Sequence, residues 1–105
     1  MKWGLSEREL SEIIQILKKF QQVREAVLFG SRVMGNFKPA SDVDLALKGS
    51  LNFSVIAKIK SELEENTALP YFFDVVDADA VETKAFKKHI EEFGKNIYCY
   101  DSPKC

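Results

Sequence analysis

Residues 30–45 read GSRVMGNFKPASDVDL, and this stretch decides the fold. The apolar run at 26–29 before it is too short for a helix and predicts a buried strand that ends at Gly30. After it, residues 42–47 alternate as a strand does, which places two aspartates on one face and the larger apolar side chains on the other. Two glycines and Pro39 between the strands predict a turn with room for one helical turn.

Helices and further strands alternate along the rest of the chain. Apolar side chains recur at helical spacing over 6–22, 52–66 and 83–93, so helices are expected there. Runs rich in aromatic and β-branched residues predict strands over 71–76 and 97–100. Strands separated by helices indicate an α/β (α+β) fold, in which a small sheet is flanked by helices.

The length and charge of the chain limit its function. Its 105 residues allow one domain over 1–105, and 46% of them are apolar, so a packed core is expected. Fifteen basic and sixteen acidic residues give a net charge of -1, which argues against direct nucleic-acid binding. So short a chain has little room for a second substrate site. An enzyme of this size is expected to take part of that site from a partner or from a homodimer.

The sequence also predicts a compartment. No apolar stretch approaches the roughly 18 residues of a membrane helix. The first residues have no signal-peptide core, so no membrane contact is expected. Cys99 and Cys105 lie within the last seven residues and are expected to be reduced thiols. These features predict a cytoplasmic protein.

Three aspartates are candidates for metal binding. Asp42 and Asp44 are two residues apart on a predicted strand, so they project from one face, roughly 6.6 Å apart along the backbone. Asp74 is the only charged residue of the strand at 71–76, and it reaches the same cleft if the two strands are neighbours. Mg²⁺ is usually held by one or two carboxylates with phosphates and waters, and three carboxylates suit two ions. We expect Asp74 to be both a ligand and the general base.

Gly30 and Ser31 are candidate phosphate contacts. Gly30 lets the backbone turn sharply and lets a phosphate approach closely, and the Ser31 hydroxyl and nearby backbone N–H groups can donate to phosphate oxygens. For this pair and Asp42 to border one cleft, the first two strands must be antiparallel. The helix at 52–66 leads from the second strand to the third, a crossover typical of parallel pairs. A mixed sheet is therefore expected.

The spacing of these residues resembles a known signature. A Gly-Ser pair, ten intervening residues and then Asp-Val-Asp is similar to the signature of the nucleotidyltransferase superfamily that includes DNA polymerase beta. Within it, the Gly-Ser-Arg-x-x-Gly start, the Ser-Asp-x-Asp-Leu end and the small size resemble the minimal nucleotidyltransferases. The resemblance covers nearly the whole chain and implies a polymerase beta palm-like fold.

The resemblance also implies roles for individual residues. Asp42, Asp44 and Asp74 match the catalytic and metal-binding carboxylates of the family. Nucleotide binding is implied for Gly30, Ser31 and Arg32. Members of the superfamily transfer a nucleoside monophosphate from a nucleoside triphosphate (NTP) to a hydroxyl, so ATP is the expected substrate and two Mg²⁺ ions are the expected cofactors.

A partner protein follows from the same resemblance. Minimal nucleotidyltransferases are commonly paired with a HEPN-domain ribonuclease toxin, which they neutralise, in some cases by adding AMP to a tyrosine. The resemblance therefore implies an antitoxin that transfers AMP to a protein hydroxyl. Two alternatives stay open: a binding module that neutralises its partner by complex formation, and a transferase that modifies a small molecule at a dimer interface.

Simpler interpretations exist for several residues. Asp42 and Asp44 would otherwise form a solvated strand face, and Asp74 a lone polar position at a sheet edge. Asp77 and Asp79 are expected in a loop or a helix cap. The single histidine, His89, lies among charged and apolar residues of a predicted helix, and we interpret it as a surface or partly packed side chain.

Overall fold

The computed structural model describes residues 2–39 and 41–100. In this part of the chain, helices and strands alternate as the sequence predicts. The elements in chain order are α1 (Glu7–Lys18), β1 (Val23–Phe29), α2 (Ser31–Met34), β2 (Val43–Gly49), α3 (Phe53–Glu65), β3 (Phe73–Asp77), a short 3₁₀ helix (Ala78–Ala80), α4 (Lys84–Phe93) and β4 (Lys95–Cys99).

The strands of the described chain form one mixed sheet in the order β3-β2-β1-β4. β1 pairs antiparallel with both β2 and β4, whereas β2 pairs parallel with β3. The mixed α/β architecture predicted from the sequence is therefore confirmed. The parallel pair is joined through α3, since a parallel connection needs a long crossover.

Apolar layers cover both faces of the sheet. On one face α1 and α3 pack over buried side chains that include Leu28 and Leu45. On the other face α4 packs over a smaller cluster that includes Phe29 and Ala46. Because side chains alternate along a strand, Asp44 projects to the same face as Ala46. The carboxylate therefore lies on the α4 side of the sheet.

Side chains cap the beginnings of two helices. At the start of α1, the Glu9 amide donates to Ser6 Oγ at 3.1 Å and the Ser6 amide donates to Glu9 Oε1 at 2.9 Å, which forms a complete capping box. At the start of α3, Asn52 Oδ1 accepts from the Val55 amide at 2.9 Å. Both predicted helix starts are confirmed.

Several element boundaries differ from the sequence predictions, and two of them differ by three residues or more. α1 ends at Lys18 rather than near Gln22, because the next two amides donate to carbonyls three residues back and tighten the last turn. β1 begins at Val23 rather than Ala26, since Val23 is fully buried and pairs with Gly49. The burial and pairing of Val23 thus add residues 23–25 to the strand, although local sequence preference does not predict a strand there.

Two further sequence predictions concern the compartment. Within residues 2–39 and 41–100, we find no helix that combines the length and the apolar character needed to cross a bilayer. Cys99 is disulfide-bonded, so the expectation of a reduced thiol is wrong at this position. The same expectation for Cys105 falls outside the described residues.

Candidate active site

The turn after β1 depends on a glycine. Gly30 has φ 81° and ψ −153°, a backbone conformation that residues with a side chain rarely adopt. A β-carbon built at Gly30 would overlap with Oδ2 of Asp44. Glycine is therefore required both by the backbone conformation and by the close approach of a carboxylate. Ser31, the first residue of α2, follows directly.

Three aspartates gather at the same end of the sheet. Asp44 and Asp74 are direct partners in the parallel register of β2 and β3, and on its other side Asp44 pairs with Phe29, the last residue of β1. Asp42 lies just before β2, and both Asp42 and Asp74 are exposed and act electrostatically on Asp44. The structure thus places Asp44 beside the Gly30 turn, with Asp74 and Asp42 as neighbours of Asp44.

The crowding of carboxylates alters the titration of Asp44. Its partial burial raises its pKa from 3.8 to about 6, and the negative charges of Asp74 and Asp42 act in the same direction. The positive charge of Arg32 lowers the pKa but does not offset these effects. The group therefore has an excess of negative charge, which a bound cation would relieve.

The chemistry of these side chains fits Mg²⁺ bound together with a nucleotide. The candidate ligands are carboxylate oxygens, which a hard cation prefers. Among residues 2–39 and 41–100, no group of three or more His, Cys, Asp or Glu side chains has the arrangement of a metal site. Mg²⁺ needs only one or two carboxylates when phosphates and waters complete its octahedron. Asp42, Asp44 and Asp74 can therefore hold an ion that arrives with a triphosphate.

Arg32 lies in the protein interior. It is only 1% exposed, and its guanidinium donates to the carbonyls of Trp3 at 2.9 Å and Ser41 at 2.7 Å. The group also lies 4.6 Å from the ring centroid of Tyr71 and 5.3 Å from that of Phe37. Two nitrogen atoms of the guanidinium are therefore engaged within the fold, while Nε has no hydrogen-bond partner among the described residues. The nucleotide contact of Arg32 stays a prediction.

The buried guanidinium of Arg32 should contribute strongly to the stability of the fold. Arg32→Lys should lower the free energy of unfolding by about 3 kcal/mol or more, because a lysine cannot reach both carbonyls in a planar fork and charge-assisted hydrogen bonds are worth about 1.5–3 kcal/mol each. Urea unfolding measures the loss. Arg8→Lys, on the exposed face of α1, is the control and should change stability by less than about 0.5 kcal/mol. An Arg32→Lys protein of normal stability that fails to bind ATP would contradict the structural role and support the predicted nucleotide contact.

His89 is a neighbour of the site that the sequence analysis did not assign to it. The Gly30 amide donates to Nε2 of His89 at 3.2 Å. The prediction of a partly packed histidine is confirmed, but its contact with the Gly30 turn was missed. Phe86, His89 and Phe93 recur at helical spacing along α4, and this stripe was the available signal that His89 faces the sheet.

Phe72 is a second neighbour that the sequence analysis missed. Its carbonyl accepts from the Val43 amide at 3.0 Å, which places Phe72 beside the start of β2 and next to Asp42. Phe73 is buried in the core, so the alternation of the chain turns Phe72 to the face of Asp74. Its side chain is 72% exposed. One exposed phenylalanine therefore lies beside the carboxylates.

Comparison with known families identifies the class of protein that this fold and site define. The family described as polymerase beta, nucleotidyltransferase matches residues 11–103. The chain therefore belongs to the polymerase beta nucleotidyltransferase family. A comparison with curated protein sequences finds no match.

Solved structures with the same fold include several toxin–antitoxin complexes. A chain of the MntA–HepT complex matches with a TM-score of 0.68 and 20% identity, over 90% of this chain and 73% of that chain. A toxin–antitoxin structure with AMP-PNP matches with a TM-score of 0.70 and 20% identity. The match covers 92% of this chain and 76% of that chain. A complex of tri-AMPylated HEPN toxin from Shewanella oneidensis with MNT antitoxin matches with a TM-score of 0.69 and 19% identity. The match covers 90% of this chain and 73% of that chain. At these identities the likeness establishes the fold.

Proposed function

We propose that this chain, as one domain over residues 1–105, is a Mg²⁺-dependent protein adenylyltransferase of the cytoplasm. It transfers AMP from ATP to a hydroxyl of a HEPN toxin and acts as the antitoxin of that protein. The observation that carries the proposal is the register pair of Asp44 and Asp74 beside the Gly30 turn, in a chain of the polymerase beta family. Solved complexes of similar fold hold an ATP analogue or an AMPylated HEPN toxin, which supports the choice of nucleotide and acceptor.

Each residue of the site has a part in binding. Asp42 and Asp44 would hold Mg²⁺, with Asp74 as a further ligand on the neighbouring strand. Gly30 permits a phosphate to approach the backbone, and the Ser31 hydroxyl donates to a phosphate oxygen. Bound Mg²⁺ would neutralise charge on the phosphates and increase the acidity of the acceptor hydroxyl.

The reaction is a displacement at the α-phosphorus of ATP. The acceptor oxygen forms a bond to this phosphorus, the bond to the bridging oxygen of pyrophosphate breaks, and pyrophosphate leaves. Asp74 accepts the proton of the acceptor hydroxyl, because it is exposed at the sheet edge where a partner can approach. The chain accelerates the step mainly by positioning and by charge stabilisation.

The direct test uses the purified chain and its HEPN-domain partner. Incubation with Mg²⁺ and ATP labelled at the α-phosphate should place the label on the partner, and mass spectrometry should find AMP on a side-chain hydroxyl. Addition of EDTA should stop the transfer. A partner that is neutralised in a stable complex without any label would refute the adenylyltransferase and favour the non-catalytic binding module.

We propose the exposed side chain of Phe72, beside the site, as a contact for the protein acceptor. Phe72→Ser should therefore lower transfer to the protein partner by roughly tenfold or more, because a buried aromatic anchor is worth about 2 kcal/mol in an interface. ATP affinity should stay unchanged. Isothermal titration with ATP and the initial rate of transfer measure the two effects separately.

A matched control exists on α3. Phe53 is also exposed, at 88%, but it lies at the start of α3, after the opposite end of β2 from Asp42. Phe53→Ser should leave both the transfer rate and ATP affinity unchanged. Equal losses of transfer in the two variants would contradict a specific role for Phe72.

A further inference from the structure

One side chain of α4 reaches the turn at the end of β1. The amide of Gly30 donates to Nε2 of His89, and the two residues are 59 positions apart in the sequence. His89 is the only histidine of the chain. A polar contact of this range links α4 directly to the turn that lies against Asp44.

This contact satisfies a backbone group in an unusual position. Gly30 is half-buried and has a backbone conformation open to almost no other residue. A partly buried amide without a partner is costly, so the acceptor on His89 favours one orientation of the Phe29–Gly30 peptide. That orientation sets where Gly30 and Ser31 lie relative to the carboxylates.

The imidazole is held in place by its neighbours. The ring of Phe29 meets it edge-on, with centroids 6.2 Å apart and planes at 80°, and the ring of Phe93 lies 5.5 Å away at 45°. Nε2 can accept a hydrogen bond only in a neutral imidazole whose proton is on Nδ1. Packing and the hydrogen bond together define one ring orientation and one tautomer.

We infer that His89 is a positioning residue for nucleotide binding: its neutral Nε2 holds the Gly30 amide and fixes the Gly30–Ser31 turn in the shape that receives the phosphates. The inference rests on the proposed nucleotidyltransferase function and adds to it a residue on α4. His89 is not the general base in this account, because its only acceptor nitrogen is engaged by Gly30. The Gly30 amide is engaged in the same way, so contact to phosphate falls to Ser31.

The tautomer can be measured in the unmodified protein. Because the chain has a single histidine, the two imidazole nitrogen shifts in an NMR spectrum at neutral pH belong to His89 without ambiguity. We expect a proton on Nδ1 and an unprotonated Nε2. A proton found on Nε2 would overturn it, and this measurement depends on no variant and no activity.

Two substitutions at His89 test the role in binding. His89→Phe retains the aromatic packing and removes the acceptor, so Kd for ATP with Mg²⁺ should rise by roughly tenfold, as expected for one lost hydrogen bond. KM for ATP should rise in parallel, with a smaller change in kcat. His89→Gln provides an amide oxygen and should recover most of the affinity. Lys88→Gln, an exposed neighbour on α4, is the control and should change neither value.

The binding data distinguish this inference from the proposed function. An unchanged Kd for ATP in His89→Phe overturns the positioning role, as does a His89→Gln protein no better than His89→Phe. If the wild-type chain binds ATP but transfers nothing to its partner, the proposed transferase fails. The dependence of ATP affinity on His89 would still support the positioning role.

Discussion

Asp44→Asn should abolish nucleotidyl transfer and, at the same time, make the metal-free chain more stable at neutral pH. Asparagine has nearly the same shape as aspartate but carries no charge, so it is a poor ligand for Mg²⁺. Charge stabilisation by a bound metal is worth several kcal/mol, so transfer should fall by roughly a thousandfold or more. A residue that served only the fold would not produce opposite effects on activity and stability.

The gain in stability follows from the pKa of Asp44. In the folded chain this pKa is about 6, against an ordinary value of 3.8, so the folded state binds the proton more tightly than the unfolded state. The free energy of unfolding therefore falls as the pH rises from about 4 to about 6. Above this range the ionised carboxylate destabilises the fold by up to about 3 kcal/mol. Asparagine lacks this charge, so the free energy of unfolding of Asp44→Asn should neither depend on pH in this range nor be lowered above it.

Urea unfolding between about pH 4 and pH 8, without metal, measures the slope. Asp79→Asn, at an exposed position of the 3₁₀ helix, should behave as the wild-type chain in both stability and transfer. Addition of Mg²⁺ with a non-hydrolysable ATP analogue should raise the melting temperature of the wild-type chain but not that of Asp44→Asn. Identical pH slopes in the wild-type chain and Asp44→Asn would contradict the electrostatic account.

The carboxylate end of the site could be predicted because strand geometry is local and regular. The two-residue spacing of Asp42 and Asp44 fixes their common face, and the length of α3 indicates a parallel neighbour for β2. The sequence did not fix the register, and it is the structure that makes Asp74 the direct partner of Asp44. Short-range patterns therefore sufficed for the mixed sheet and for the common face of Asp42 and Asp44.

The contacts of Arg32 and His89 could not be predicted in this way. Arg32 is buried because the carbonyls of Trp3 and Ser41, from two separate segments, converge on its guanidinium. His89 meets Gly30 only after α4 has packed on the sheet. Such contacts depend on tertiary placement, on which helical or strand periodicity carries no information. The burial of Arg32 therefore could not be predicted from the sequence, and its contact with a nucleotide, implied by the family resemblance, stays a prediction.

Gly30→Ala should unfold or severely destabilise the chain and remove transfer in any folded remainder. The backbone conformation of Gly30 alone costs a residue with a side chain roughly 1–3 kcal/mol. In addition, the new β-carbon would overlap with Oδ2 of Asp44, so either the turn or the carboxylate must move. We expect a loss of about 3 kcal/mol or more in the free energy of unfolding, measured with urea. Transfer to the partner should fall at least a hundredfold, since both phosphate and metal contacts are displaced.

Gly35→Ala separates the effect of backbone conformation from the effect of overlap with Asp44. Gly35 also has a positive φ, 82°, but a β-carbon there would meet nothing within 4 Å, so only the left-handed backbone is penalised, by roughly 1 kcal/mol. The difference between the two variants is therefore due to the less accessible conformation of Gly30 and to its overlap with Asp44. Adding Asp44→Ala to Gly30→Ala should recover part of the lost stability, because it removes the overlapping oxygen. Strict additivity of these two substitutions would show that Gly30 is required by backbone conformation alone.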